Sequence, residues 1–146
     1  MFLIRAFLVW LVIIAAETVH GILRGVLLVP IVGDLPARQI GVLIGSLLIL
    51  AVAYLFIRWM AAGTTLRLVA VGLLWVVLTV LFEIGLGRLV LGLPWEQITE
   101  DYDVTRGGFM GLGLLFMAAA PRLAATLRNR PGAGPVREAR VGRPRE

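Results

Sequence analysis

Apolar residues occupy this chain in four long blocks, and charged residues collect between and after them. The first block runs from about Ala6 to Leu28, with Pro30 shortly beyond. The second runs from about Gln39 to Ile57 and stops at Arg58-Trp59. The third runs from about Leu68 to Leu91, with Pro94 beyond, and the fourth from about Thr105 to Ala120, closed by Pro121. Each is near the ~20 residues needed to cross a hydrocarbon layer. In lipid an open strand leaves its backbone unpaired, so all four read as helices. The pattern predicts an all-α, four-helix transmembrane bundle over residues 1–127, followed by a disordered Arg-rich tail from residue 128.

The segment LPWEQITEDYD, between the third and fourth blocks, has a pattern of its own. Pro94 suits a helix start. Trp95, Ile98 and Tyr102 share one face at helical spacing, with Glu96, Glu100 and Asp103 largely elsewhere. That predicts a short interfacial helix anchored by its aromatic face. A lid over an outward-facing pocket is the alternative reading.

The two halves echo each other. Trp10, Glu17 and Arg24 in the first helix find counterparts in Trp75, Glu83 and Arg88 of the third. RGVLLVP from Arg24 to Pro30 matches RLVLGLP from Arg88 to Pro94. Each proline precedes an acidic loop, an arginine and a glycine-rich helix start: Arg38 with Gly41 and Gly45, then Arg106 with Gly107, Gly108 and Gly111. Two helices per unit make the repeats parallel, about an axis along the membrane normal, with Glu17 and Glu83 at similar depth. The pairs Gly41/Gly45 and Gly107/Gly111 have the spacing of close helix packing.

Composition sharpens this picture. The chain has 146 residues, and with 60% of them hydrophobic a water-soluble domain of this size could not hide its apolar surface. Cysteine is absent, which removes disulfides and thiolate metal sites. Lysine is absent too, so no Schiff-base amine exists and every cation is an arginine. The pI near 11.2 would point to nucleic acid in a soluble protein. Here the arginines follow topology instead, and no nucleic-acid partner is expected. Arg5, Arg58, Arg67, Arg122 and the tail arginines fall on one side of the threaded bundle. The other side mixes Arg24, Arg38, Arg88 and Arg106 with Asp34, Glu96, Glu100, Asp101 and Asp103. The positive-inside rule then places both termini and the Arg58–Arg67 loop in the cytoplasm of a bacterial inner membrane. The N-terminus has the outline of a signal peptide, but Ile14 is a poor residue three places before a cut at Ala16 and the apolar run continues to Leu28. It is read as a retained helix.

Ionisable residues inside spans are costly and face protein or water. Glu17, His20 and Arg24 lie on one stripe of the first helix, His20 within reach of both neighbours. Glu83 lies on the stripe of Thr79 and Gly87, and Arg88 about 140° away from it. With Arg38 and Arg106 at the outer ends, these residues predict a cluster in the outer half of the bundle: Glu17, His20, Arg24, Arg38, Glu83, Arg88 and Arg106. Such a cluster fixes helix register, or it binds a small polar or anionic species with the glutamates as titrating groups. No cofactor is expected: one histidine cannot ligate a haem from both sides, and no metal, Walker or dinucleotide signature appears. No nucleophile–base arrangement appears either, so no enzyme is expected. The expected partners are the lipid bilayer and a larger membrane protein or a second copy. A non-catalytic accessory subunit of a membrane complex is the alternative function. The tandem two-helix layout has an architectural likeness to small proton-coupled bacterial exporters. Their Trp-Asn and Arg-x-x-His elements have no counterpart at matching places, and none of their residues is carried over.

Overall fold

The computed structural model describes residues 1–129. Among them the chain is an all-α bundle with four helices long and apolar enough to span a membrane: α1 (Phe2–Val32), α2 (Asp34–Met60), α3 (Thr65–Val90) and α5 (Met110–Asn129). A short helix, α4 (Trp95–Glu100), lies between α3 and α5. Largely exposed leucines, such as Leu43, Leu47, Leu55, Leu81 and Leu115, cover the outside of the bundle. In water that surface would drive aggregation, and in a bilayer it is matched by acyl chains. The protein is a multi-pass membrane protein.

The helices form a ring in the order α1, α2, α5, α3. Trp75 Nε1 donates to the carbonyl of Ala6 (2.9 Å), and Trp10 Nε1 donates to Thr79 Oγ1 (3.0 Å). Both pairs rise together along α1 and α3, so these helices are parallel. Arg5 meets Trp59 while Glu17 lies against Gly45, so α1 and α2 are antiparallel. Around the two indoles sit Val9, Ile13, Met60, Val71 and Pro121, all fully buried. This is the tight half of the bundle, at the end with the Arg58–Arg67 turn. There α3 and α5 approach so closely that a Cβ on Gly72 would collide with the backbone carbonyl of Ala118. Arg5, Arg67 and Arg128 close this end by lying over Trp59, Phe2 and Tyr54 at 5.1–5.6 Å. Arg5 also donates to the carbonyl of Trp59 (2.9 Å), which the helix end leaves unpaired.

Several boundaries differ from the sequence reading. Helix α1 runs through Pro30 to Val32 because a π turn over Arg24–Leu28 precedes the proline and accommodates its missing amide. Helix α3 also ends in a π turn, Leu86–Val90. Helix α2 begins at Asp34, five residues earlier than expected, because Gly33 alone makes the turn at φ +86. Asp34 and Pro36 then suit the first helical turn. The fourth span starts at Met110 and continues through Pro121 to Asn129. Pro121 costs one internal hydrogen bond but is buried among packed neighbours, so tertiary contact overrides the break. Arg128, assigned from sequence to the tail, belongs to this helix and donates to the carbonyl of Tyr54. The rest of the predicted tail lies outside the described residues.

The second glycine motif is not a packing stripe. Gly107 sits in a turn at φ +82, before α5 begins, and Gly111 has nothing within 4 Å of its Cβ position.

Candidate functional site

Above the tight half the four spans separate around a cavity of about 540 Å³. Glu17, His20 and Arg24 reach it from α1, Gly41, Gly45 and Ser46 from α2, Thr79 and Glu83 from α3, and Met110 and Met117 from α5. Its remaining lining is largely apolar, with Ile14, Val42, Phe82 and Leu114. A second cavity of about 500 Å³ adjoins it at the acidic-loop end and shares Arg24, Glu83, Leu86, Leu91 and Met110 with it. This vestibule is walled further by Asp34, Arg38, Glu100, Asp101 and Tyr102.

The two glutamates face the same interior. The tryptophan contacts set α1 against α3 at a separation of 69 residues, and Glu17 and Glu83 are 66 apart. They therefore differ in depth by three residues, about 4–5 Å. Their surroundings differ. Glu17 pairs through Oε2 with His20 Nδ1 at 3.2 Å, while Oε1 is buried with no partner among the described residues. Glu83 accepts a hydrogen bond from the Tyr102 hydroxyl at 2.8 Å.

Glycine makes room for the α1 side chains. A Cβ on Gly45 would stand 2.8 Å from Glu17 Oε2, and one on Gly41 would stand 2.8 Å from Arg24 Cδ. The Gly41/Gly45 pair thus cradles a carboxylate and a guanidinium rather than a neighbouring backbone. This departs from the packing role its spacing predicts.

The arginines divide. Arg24 lies at the junction of the two cavities, with its Nε buried and without a partner among the described residues. Arg38 pairs with Asp101 and, at 3.0 Å, with Asp34, so it ties α2 to the segment after α4. Arg88 turns away from the cavities: it donates to the carbonyl of Leu93 (2.7 Å) and lies over Trp95 at 5.1 Å. Arg106 is 69% exposed and pairs with Asp103 at 3.5 Å. The seven-residue cluster read from sequence is therefore four residues around the cavity, with Arg38 in the vestibule wall and Arg88 and Arg106 outside. Arg88 and Arg106 sit near backbone carbonyls and acids at the acidic-loop end, which satisfy them locally.

The α4 segment folds over the vestibule. Ile98 Cδ1 lies 3.1 Å from where a Cβ on Gly87 would stand, and Tyr102 reaches Glu83. All three residues of its predicted anchoring face therefore make protein contacts, and Trp95, beneath Arg88, remains half exposed. The segment thus forms one wall of the vestibule. Burial and the bond to Glu83 push the Tyr102 hydroxyl well above the usual tyrosine range. Asp103 is held below the usual carboxylate range, chiefly by the Thr105 hydroxyl at 2.6 Å.

Tyr102, Ser46 and the glycine cradle were not singled out from sequence as parts of a site. One signal pointed to Tyr102: Glu83 has no cation one turn away on its own helix, so its partner must come from another element. No group of three or more metal-ligating side chains converges among the described residues. No family model, curated protein or solved structure matches the chain.

Proposed function

We propose that this protein binds a small polar solute in the cavity between its four spans and carries it across the membrane, with Glu17 and Glu83 exchanging protons. One observation carries the reading: two carboxylates, a histidine and an arginine from two different helices line a single cavity, within an otherwise apolar bundle. Groups kept only to fix register would be satisfied by one another. Here Glu17 Oε1 and Arg24 Nε are buried with no partner among the described residues. The adjoining vestibule supports access from the acidic-loop end.

In this reading the arginine-rich end faces the cytoplasm of a bacterial inner membrane, and the protein is a binding protein rather than an enzyme. A duplicated two-helix unit is supported by the parallel α1 and α3, by a π turn near the end of each, and by the matching glutamates.

The test has two parts. Ser46→Cys, within the cavity lining, should react with a small charged thiol reagent added to the acidic-loop side. Proteoliposomes loaded with a pH dye should dissipate an imposed pH gradient when a cell metabolite extract is supplied, and Glu17→Gln or Glu83→Gln should slow this at least ~10-fold, since an amide cannot exchange the proton. An unreactive Ser46→Cys, together with vesicles that hold their gradient, overturns the proposal.

A further inference from the structure

Two buried atoms of the cavity have no partner among the described residues, and they have opposite character. Glu17 Oε1 is an acceptor, and Arg24 Nε is a donor. They belong to side chains resting on Gly45 and Gly41 of α2, which are one helical turn, or ~6 Å, apart. The Arg24 side chain leans toward the N-terminus of its helix, as helical side chains do, and so toward Glu17. Yet Arg24 makes no ion pair within 4.0 Å among the described residues. The two charges come near each other without meeting.

Three kinds of ligand can be weighed against this arrangement. A simple cation would answer Glu17 and Glu83 but would be repelled by Arg24. A simple anion would answer Arg24 but would sit beside two carboxylates in a low-dielectric site, where repulsion is strong. A molecule with both charges answers all three groups and brings no net charge into the membrane interior. The apolar wall formed by Phe82, Leu114 and Met117 then accepts an apolar body. The vestibule has the same mixed character, with Arg24 and Arg38 among Asp34, Glu83, Glu100 and Asp101.

We infer that the ligand is a small zwitterion with an apolar body. Its ammonium group lies at Glu17 and Glu83, and its anionic group lies at Arg24. The inference rests on the proposed binding function and names the solute class for that same cavity. The required chemistry is an ammonium and an anion a few bonds apart. A free amphoteric solute and a zwitterionic lipid headgroup both have it.

The test compares ligands with one apolar body and different charge. Purified full-length protein in phosphatidylglycerol nanodiscs is titrated with leucine, with isoamylamine, which lacks the carboxylate, and with 4-methylpentanoate, which lacks the amine. Parallel titrations use phenylalanine, phenethylamine and 3-phenylpropionate. The zwitterions should bind at least ~10-fold more tightly than either partner compound. Arg24→Gln should remove the advantage over the amine, and Glu17→Gln the advantage over the acid. Arg24→Lys should keep part of it, which separates loss of charge from loss of fold. A second arm adds phosphatidylethanolamine to the nanodiscs. Competition against leucine, or saturable binding of that lipid alone, assigns the zwitterion to a headgroup, and no effect assigns it to a free solute. If an amine or an acid binds as tightly as its zwitterion, or if neither the zwitterions nor the lipid bind, the inference is overturned. Ser46→Cys labelling is read on the same samples. Labelling without a zwitterion preference overturns the solute class and leaves the cavity reading standing, while loss of both overturns both.

Discussion

The two halves of this bundle are made from the same four helices and use glycine in opposite ways. At the arginine-rich end Gly72 lets the backbones of α3 and α5 touch. At the acidic-loop end Gly41 and Gly45 leave space that Arg24 and Glu17 occupy. In lipid there is little hydrophobic force between helices, so close packing and satisfied polar groups hold them together. The first half has both, with two buried indoles hydrogen-bonded across α1 and α3. The second half gives up packing for a cavity and polar groups. Stability and function should therefore reside in different halves.

Mutations test that division. The largest effect is expected for Gly72→Val, whose side chain would meet a backbone carbonyl that cannot move aside. Overpacking of this kind destabilises by about 3 kcal/mol or more, read as loss of folded protein in a denaturant titration. Trp75→Ala should follow. A buried tryptophan in a water-soluble core is worth ~3–5 kcal/mol, and without the water-transfer contribution roughly 2–3 kcal/mol is expected here. Gly41→Ala meets only the flexible Arg24 side chain. Its stability change should stay below about 1 kcal/mol, while solute binding falls at least ~10-fold. If Gly41→Ala unfolds the protein, or Gly72→Val is harmless, the division between the halves is wrong.

Smaller effects concern the vestibule wall formed by α4 and the residues after it. Tyr102→Phe removes one hydrogen bond to Glu83 at a part-buried site, so ~0.5–1 kcal/mol is expected, with faster labelling of Ser46→Cys as the readout. The pH dependence has a definite sign. Because the Tyr102 hydroxyl is raised, its contribution is complete below the ordinary tyrosine range and is lost only as pH climbs through the folded value. Ionisation of Tyr102 should therefore speed labelling of the Ser46→Cys protein only in strong alkali. Asp103 has the opposite sign: lowered, it contributes above the usual carboxylate range and loses that contribution as pH falls through its folded value. Asp103→Asn should remove that contribution at neutral pH and with it the acid-side loosening of the loop, and it is the smallest effect of the set.

Much of the tight half was legible because it follows from local rules. Block lengths gave the four spans, and Trp10 and Trp75, matched in the internal repeat, are both buried. The cavity was legible in its acids and in Arg24, since an intramembrane charge must face the interior. Partner choice was not legible. Arg38, Arg88 and Arg106 share charge and outer position, yet only Arg38 meets a vestibule, because the loop after α4 brings Asp101 across to it. Pro121 misled for a related reason. Its cost is local and visible in sequence, whereas the packing that offsets it comes from α2 and α3. The Gly41/Gly45 spacing is equally consistent with a helix neighbour and with a side-chain cradle, and only the long residues opposite decide between them.

The wide turns at Arg24–Leu28 and Leu86–Val90 have a consequence for chain length. A π turn holds about one residue more than an α turn, which is about 100° of winding. An extra residue absorbed in this way leaves the flanks on either side in phase, so Glu17 keeps its azimuth while the chain beyond continues to Pro30. Removing one residue inside either turn would return it to ordinary winding with both flanks still aligned. The same deletion between the tryptophan and the glutamate of either helix would swing that glutamate by about 100°, out of the cavity toward lipid. Length is negotiable at these two places in α1 and α3, and in the stretches before them it is fixed.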